Sequence, residues 1–199
     1  MINKDQKTSH LNKTESKIIN LAKPYLQIRN NEIHTLNAID FAFRLLNIYK
    51  KAERRLVIPA MILHDVGWSL VKEEIIRKVC LPDPDKNFVR IHEEESVRIA
   101  RHILSKIDYD KAETDEILKI IDGHDTRGKA FSINDEIVQD SDKLTRYAIN
   151  FWFWVGQVPL SAREYALSLE KYINKWFFLP DSKEMAKKEI YLRLVEIND

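Results

Sequence analysis

The chain has 199 residues, and its 32 Lys and Arg against 31 Asp and Glu leave a net charge of +1. That length supports one globular domain around a substantial core, and the near-zero charge removes any bulk electrostatic reason to expect nucleic acid or an anionic membrane as partner. Cys80 is the only cysteine, which excludes an intrachain disulfide and a multi-cysteine zinc site.

Four glycines and six prolines are all that punctuate the sequence. Between them apolar residues recur at spacings of three and four with no long alternating run, so an all-α fold is predicted. The polar stretch 1–17 lacks an apolar core and reads as no secretory signal. The first helix is expected over Thr14–Arg29 with Thr14 as its cap. Glu32–Lys51 and Glu53–Val66 follow, the latter ending on Gly67 as a C-cap. A short helix over Lys72–Cys80 precedes LPDPDKN, whose Pro82 and Pro84 predict a loop. The remaining helices are Phe88–Ile107, Thr114–His124, Asn134–Val155, Ala162–Phe178 and Lys183–Glu196. The apolar run Tyr147–Leu160 is broken by Asn150 and Gln157 and is too short to span a bilayer. A cytoplasmic protein is the expectation. The one weak boundary, near Gly156–Pro159, separates a core over 30–156 from C-terminal helices over 162–196 that pack on it within a single domain.

Chemistry concentrates in the segment Pro59-Ala60-Met61-Ile62-Leu63-His64-Asp65-Val66-Gly67. A helix this apolar is buried on most sides, and an imidazole and a carboxylate at its end are costly there unless hydrogen-bonded, paired or bound to metal. The dipeptide alone fits a buried hydrogen-bonded pair as well as a metal site. Other histidines shift that balance. His34 lies early in its helix, His124 shares an apolar face with Ile117, Ile120 and Ile121, and His92 lines up with Ser96, Ile99 and Ile103 on a partly buried edge. One histidine on an apolar face is ordinarily a satisfied core residue; three beside a buried His-Asp pair are not. His10 and His102 read as surface residues. A further carboxylate is expected from Asp135 to Leu144: Asp135 suits a solvated helix start, and periodicity alone lets either Asp140 or Asp142 face inward.

His34, His64-Asp65 and a later Asp in a Ser-Asp-Lys-Leu context resemble the HD-domain metal-dependent phosphohydrolase superfamily, over roughly residues 30–156. The resemblance implies an all-α helical bundle, here of about eight or nine helices, whose His34, His64, Asp65 and Asp142 bind a divalent ion. It also selects Asp142 over Asp140. Mixed nitrogen and oxygen donors suit Mn, Fe, Co, Ni, Zn or Mg, and His92 and His124 stand where some subfamilies hold a second ion. Asp65 and His124 are the candidate catalytic residues on this basis. Val66-Gly67-Trp68-Ser69 carries no acidic pair after the His-Asp, unlike the guanosine-alarmone hydrolases, and the Gly-Tyr-Pro signature of the cyclic-di-GMP branch is absent.

The expected activity is hydrolysis of a nucleotide or small phosphate ester by a metal-activated water. A di-iron oxygenase and a silent helical regulatory protein are the alternatives. Lys143, Arg146 and Arg127 are the candidate phosphate contacts, with Arg90 and Lys129 nearby in sequence. Phe151-Trp152-Phe153-Trp154 is expected to pack in the core or a homodimer interface, the alternative being a nucleobase pocket. Tyr165, Leu169, Tyr172, Ile173 and Trp176 read as a docking face, and Glu93-Glu94-Glu95 as a solvated run.

Overall fold

A computed structural model describes residues 9–28, 30–78, 85–148 and 150–198. Cys80 and the prolines Pro82 and Pro84 lie outside the described residues. Eleven α-helices occur among those described: α1 Lys13–Ala22, α2 Asn31–Ile48, α3 Arg54–Leu63, α4 Glu73–Lys78, α5 Lys86–Ser105, α6 Lys111–Ile121, α7 Ile133–Tyr147, α8 Phe151–Val155, α9 Ala162–Glu170, α10 Ile173–Trp176 and α11 Pro180–Asn198. Single 3-10 turns occupy Lys23–Tyr25 and Val66–Leu70.

The central element is α3. Its sequence Leu-Val-Ile-Pro-Ala-Met-Ile-Leu is apolar all round, every residue of it is buried, and α1, α2, α6 and α7 pack around it. Pro59 inside this helix has no N–H for the carbonyl of Arg55; the Tyr109 hydroxyl donates to that carbonyl instead, at 2.6 Å. The orphaned acceptor is thus satisfied from outside the helix.

Helix ends depart from the periodic reading where local chemistry intervenes. Asn12, rather than Thr14, caps α1 through a reciprocal pair with Glu15, and Pro24 converts its end to a 3-10 turn. Asp85 caps α5, and Asp110 caps α6 ahead of Thr114. The long helix expected over Asn134–Val155 breaks after Tyr147, where Ala148 takes φ −99 and ψ −121, and resumes at Phe151. The Ala162–Phe178 span is likewise two helices. Tyr165, Leu169 and Ile173 are buried, and Tyr147 donates its hydroxyl to the Leu169 carbonyl at 2.9 Å. Helix α11 packs on α7 and α9, so the segment after Gly156 closes onto the core. Phe151 enters the core, whereas Trp152 and Phe153 are exposed.

Gly67 does not end α3, which stops at Leu63. It lies in the following 3-10 turn against α5, where a Cβ would come within 2.1 Å of the His92 carbonyl oxygen and 2.4 Å of the Ser96 nitrogen. Only glycine permits this backbone contact, which Ser96 reinforces by accepting the Gly67 N–H at 2.8 Å. Gly67→Ala is therefore expected to cost about 2–3 kcal/mol through overpacking, read as a lowered urea midpoint at unchanged m-value.

Candidate metal centre

Each inward-facing histidine is presented by a different element. His34 comes from the first turn of α2, His64 with Asp65 from the end of α3, His92 from α5, His124 from the turn after α6, and Asp142 from α7. His64, His92 and His124 are fully buried and Asp65 is 8% exposed. His10 and His102 are exposed, as expected.

Three of the imidazoles are held in one sense. Nδ1 of His64 lies 2.7 Å from the Met61 carbonyl oxygen, that of His92 2.5 Å from Val89, and that of His124 2.9 Å from Ile121. A carbonyl only accepts, so each Nδ1 is the donor and each Nε2 is left as a lone pair. For His34 the partner is Thr145, whose hydroxyl donates to the Asp142 carbonyl at 2.7 Å and whose oxygen lies 3.2 Å from His34 Nδ1. Asn150 Nδ2 lies 3.1 Å from the same nitrogen, and an amide N–H only donates, so His34 Nδ1 is set by two side chains rather than by a backbone carbonyl.

The four Nε2 atoms converge on Asp65. Its Oδ2 lies 3.4 Å from His34 and 3.7 Å from His64, and its Oδ1 lies 3.4 Å from His92 and 3.6 Å from His124. Asp142 Oδ1 closes the first group at 3.1 Å from His34 and 3.6 Å from His64, while the two Nε2 atoms there stand 3.1 Å apart. These atoms are almost all acceptors; Trp68 Nε1, donating to Asp65 Oδ1 at 3.1 Å, adds one hydrogen. Lone pairs gathered this closely require a cation or protons between them, so the donor set fits a divalent ion held by imidazole and carboxylate. His34, His64 and Asp142 could hold one ion, and His64, Asp65 and His124 or His92, His124 and Asp125 are further groups of ligating atoms.

The titration behaviour has the same origin. Burial resists charge on Asp65, but the facing His64, His124, His92 and His34 outweigh it and hold its carboxyl well below the usual range. Asp142 is likewise lowered by His34 and His64 against the effect of burial. Burial opposes protonation of His124, yet Asp65, Asp125 and Glu93 push it up to about 10. Three carboxylates draw positive charge into the cluster.

Above it opens a cavity of about 450 Å³, lined in part by Asp65, Trp68, Asp142, Lys143, Arg146, Trp154 and Trp176. Arg146 stacks over Trp154 at 4.1 Å from the ring centre, and Lys143 Nζ lies 3.4 Å from the His124 carbonyl oxygen. Arg127 also borders the cavity, but its guanidinium is fastened to both oxygens of Asp135 at 2.7 and 2.8 Å and to the Asp122 carbonyl. It braces the loop rather than offering a vacant fork to phosphate. Arg90 is spent on Glu93, Glu94 and Asp122.

Four sequence expectations are corrected. Asp135, read as solvated, is fully buried by its pairing with Arg127. Glu93, read as part of a solvated run, is fully buried and accepts the backbone N–H groups of Asp125 and Thr126 at 2.8 and 2.9 Å. His92 is wholly buried rather than at an edge, because Trp68 stacks on its ring at 4.1 Å. His124 lies past the end of α6, after Gly123 at φ +85. Asp140 turns away from the cluster and accepts the amides of Phe178 and Leu179 at 3.0 and 2.9 Å; burial pushes its carboxyl up to about 6. Asp125, missed by the sequence reading, brings Oδ2 to 3.8 and 3.9 Å from His92 and His124. Its adjacency to His124 was the one available signal, and it carries no periodicity.

Thr145→Val keeps the side chain's shape but removes a polar partner of His34 Nδ1. Divalent-ion affinity, measured by titration of the stripped protein, is expected to fall about ten- to hundredfold with an unchanged helical spectrum. His102→Ala, on an exposed face, should leave it unaltered.

No protein of curated function matches the chain in sequence. Its fold is similar to the crystal structure of a predicted HD superfamily hydrolase from an uncultured Thermotogales bacterium, with TM-score 0.61 and 20% identity over 92% of this chain and 87% of that one. The HD domain family profile matches residues 31–147, a span that begins at α2 and ends with α7 and contains all of the converging histidines and aspartates. The chain belongs to the HD domain family.

Proposed function

We propose that this protein is a metal-dependent phosphohydrolase acting on a nucleotide or small phosphate monoester. The observation that carries the proposal is the acceptor-rich cluster of His34, His64, Asp65 and Asp142 at the floor of a cavity whose wall supplies Lys143 and Arg146. A divalent ion held there would supply Lewis acidity and lower the pKa of a bound water. Asp65, kept ionised by the surrounding imidazoles, presents both oxygens inward and orients what binds between the two histidine pairs. His124 keeps Nδ1–H on the Ile121 carbonyl, so only its Nε2 faces the reacting centre.

Phosphate binding falls to Lys143 and Arg146. Lys143 spends one contact on the His124 carbonyl and retains further N–H donors toward the cavity. Arg146 is oriented by the rings of Trp154 and Trp176 at 4.1 and 5.5 Å, which supports a planar organic group at that end. Cations near a phosphoryl group offset charge that develops in the transition state. The di-iron oxygenase is the second reading, favoured by the convergence of His92 and His124 at 3.4 Å beside Asp65. The cationic wall favours hydrolysis of a phosphate.

Anaerobic turnover of a nucleotide panel with Mn²⁺, Co²⁺ or Ni²⁺ is expected to release phosphate. Oxygen uptake by the iron form with no phosphate release would reverse the ranking. Within the hydrolase reading, Lys143→Met removes a charge-assisted contact worth about 1.5–3 kcal/mol. Its KM is expected to rise about tenfold or more, while metal content stays at the wild-type value.

A further inference from the structure

His92 and His124 are fully buried, with their Nδ1–H groups already committed to carbonyls. Their Nε2 lone pairs stand 3.4 Å apart and 3.4 and 3.6 Å from Asp65 Oδ1. Two buried imidazole nitrogens and a carboxylate oxygen face one point, the other nitrogen of each ring being committed to a carbonyl. Asp125 closes this group with Oδ2 at 3.8 and 3.9 Å from the two nitrogens. We propose that Asp125 is a metal ligand of this chain, sharing an ion with His92, His124 and Asp65 Oδ1, and that Glu93 is the positioning residue that holds it there.

Glu93 touches no ligating atom of the cluster. Its buried carboxylate grips the turn that carries Asp125: Oε1 accepts the N–H of Asp125 at 2.8 Å and of Thr126 at 2.9 Å. Oε2 accepts the Thr126 hydroxyl at 2.7 Å and Arg90 Nη1 at 3.0 Å. Gly123, at φ +85, reverses the backbone just before the turn, a conformation other residues adopt at a cost. Two consecutive residues, His124 and Asp125, thereby aim at one point although no helix periodicity would bring them together.

Asp125 makes the two halves of the centre chemically equivalent. His34, His64, Asp142 and one oxygen of Asp65 form the first half; His92, His124, Asp125 and the other oxygen form the second. Each half offers two imidazoles and two carboxylate oxygens. Equal donor sets select the same kind of ion at similar affinity. Without Asp125 the second half would have three protein donors and would bind more weakly.

The test is Mn²⁺ titration of the metal-stripped protein, with free ion followed by electron paramagnetic resonance. It needs no substrate and no turnover, so it stands apart from the phosphohydrolase reading. Wild type is expected to bind two ions per chain. Asp125→Ala should keep one ion at wild-type affinity and weaken the second at least about tenfold, and Glu93→Gln should weaken the second about ten- to hundredfold. Retention of the first ion reports that each variant is folded. Two ions bound by Asp125→Ala with unchanged affinities, or a single ion bound by wild type, would overturn the ligand assignment. Equal weakening of both ions in Glu93→Gln would assign Glu93 to the fold alone and remove its positioning role.

Discussion

Asp65 is the constraint to which the rest of the molecule answers. It sits at the end of a helix buried on every side, with four imidazole nitrogens between 3.4 and 3.7 Å from its two oxygens. Burying a carboxylate is tolerable only with compensation of this kind, and the compensation comes from four separate segments. Their backbones are fixed in turn by what the imidazoles do with their second nitrogen. Met61 and Ile121 lie in the last turns of α3 and α6, where carbonyls lack a partner within the helix; the rings of His64 and His124 supply one. Helix termination and ring orientation are therefore a single event at these two positions.

Charge is distributed with the same economy. Basic residues near the centre divide into those that brace and those that face the cavity. Arg127 and Arg90 neutralise buried carboxylates in the first turn of α7 and on α5, and this holds the walls at fixed separation. Lys143 and Arg146 project from α7, one and four residues after Asp142, and keep their charge toward the opening. The segment after residue 147, beyond the HD family match, adds Trp154, Trp176 and Phe178 to the same wall. Asp140 ties Phe178 and Leu179 to α7 two residues from Asp142, so the aromatic wall is registered against the ligand cluster by the helix that carries both.

The all-α class and the inward histidines were legible because burial imposes a period. Ile117, Ile120 and Ile121 announce a buried face, and α3 is so uniformly apolar that its terminal His-Asp pair could only be costly or functional. Asp142 could not be separated from Asp140 by period alone: both are placed by helix α7, and both find partners, one in the cluster and one in the C-terminal amides. Glu93 and Asp135 were misread for a related reason. A carboxylate at a helix start, like Asp135, or in a run of acids, like Glu93, is usually solvated, and nothing local reveals that Arg127 or the amides of a distant turn will cover it.

Sequence by itself determined the helical class, the burial of α3 and the costly His64-Asp65 pair at its end, because hydrophobic periodicity and the cost of burying polar groups act within a few residues of chain. Tertiary structure alone decided where the helices break, why Gly67 must lack a side chain, which arginines are spent, and that Asp125 joins His92 and His124. Each of these depends on a backbone carbonyl, an amide or a carboxylate supplied from tens of residues away: Gly67 meets the His92 carbonyl, and Asp125 is carried on a turn gripped by Glu93, 32 positions earlier. Side-chain period carries no record of such partners, since they are fixed only when separate helices close on one another.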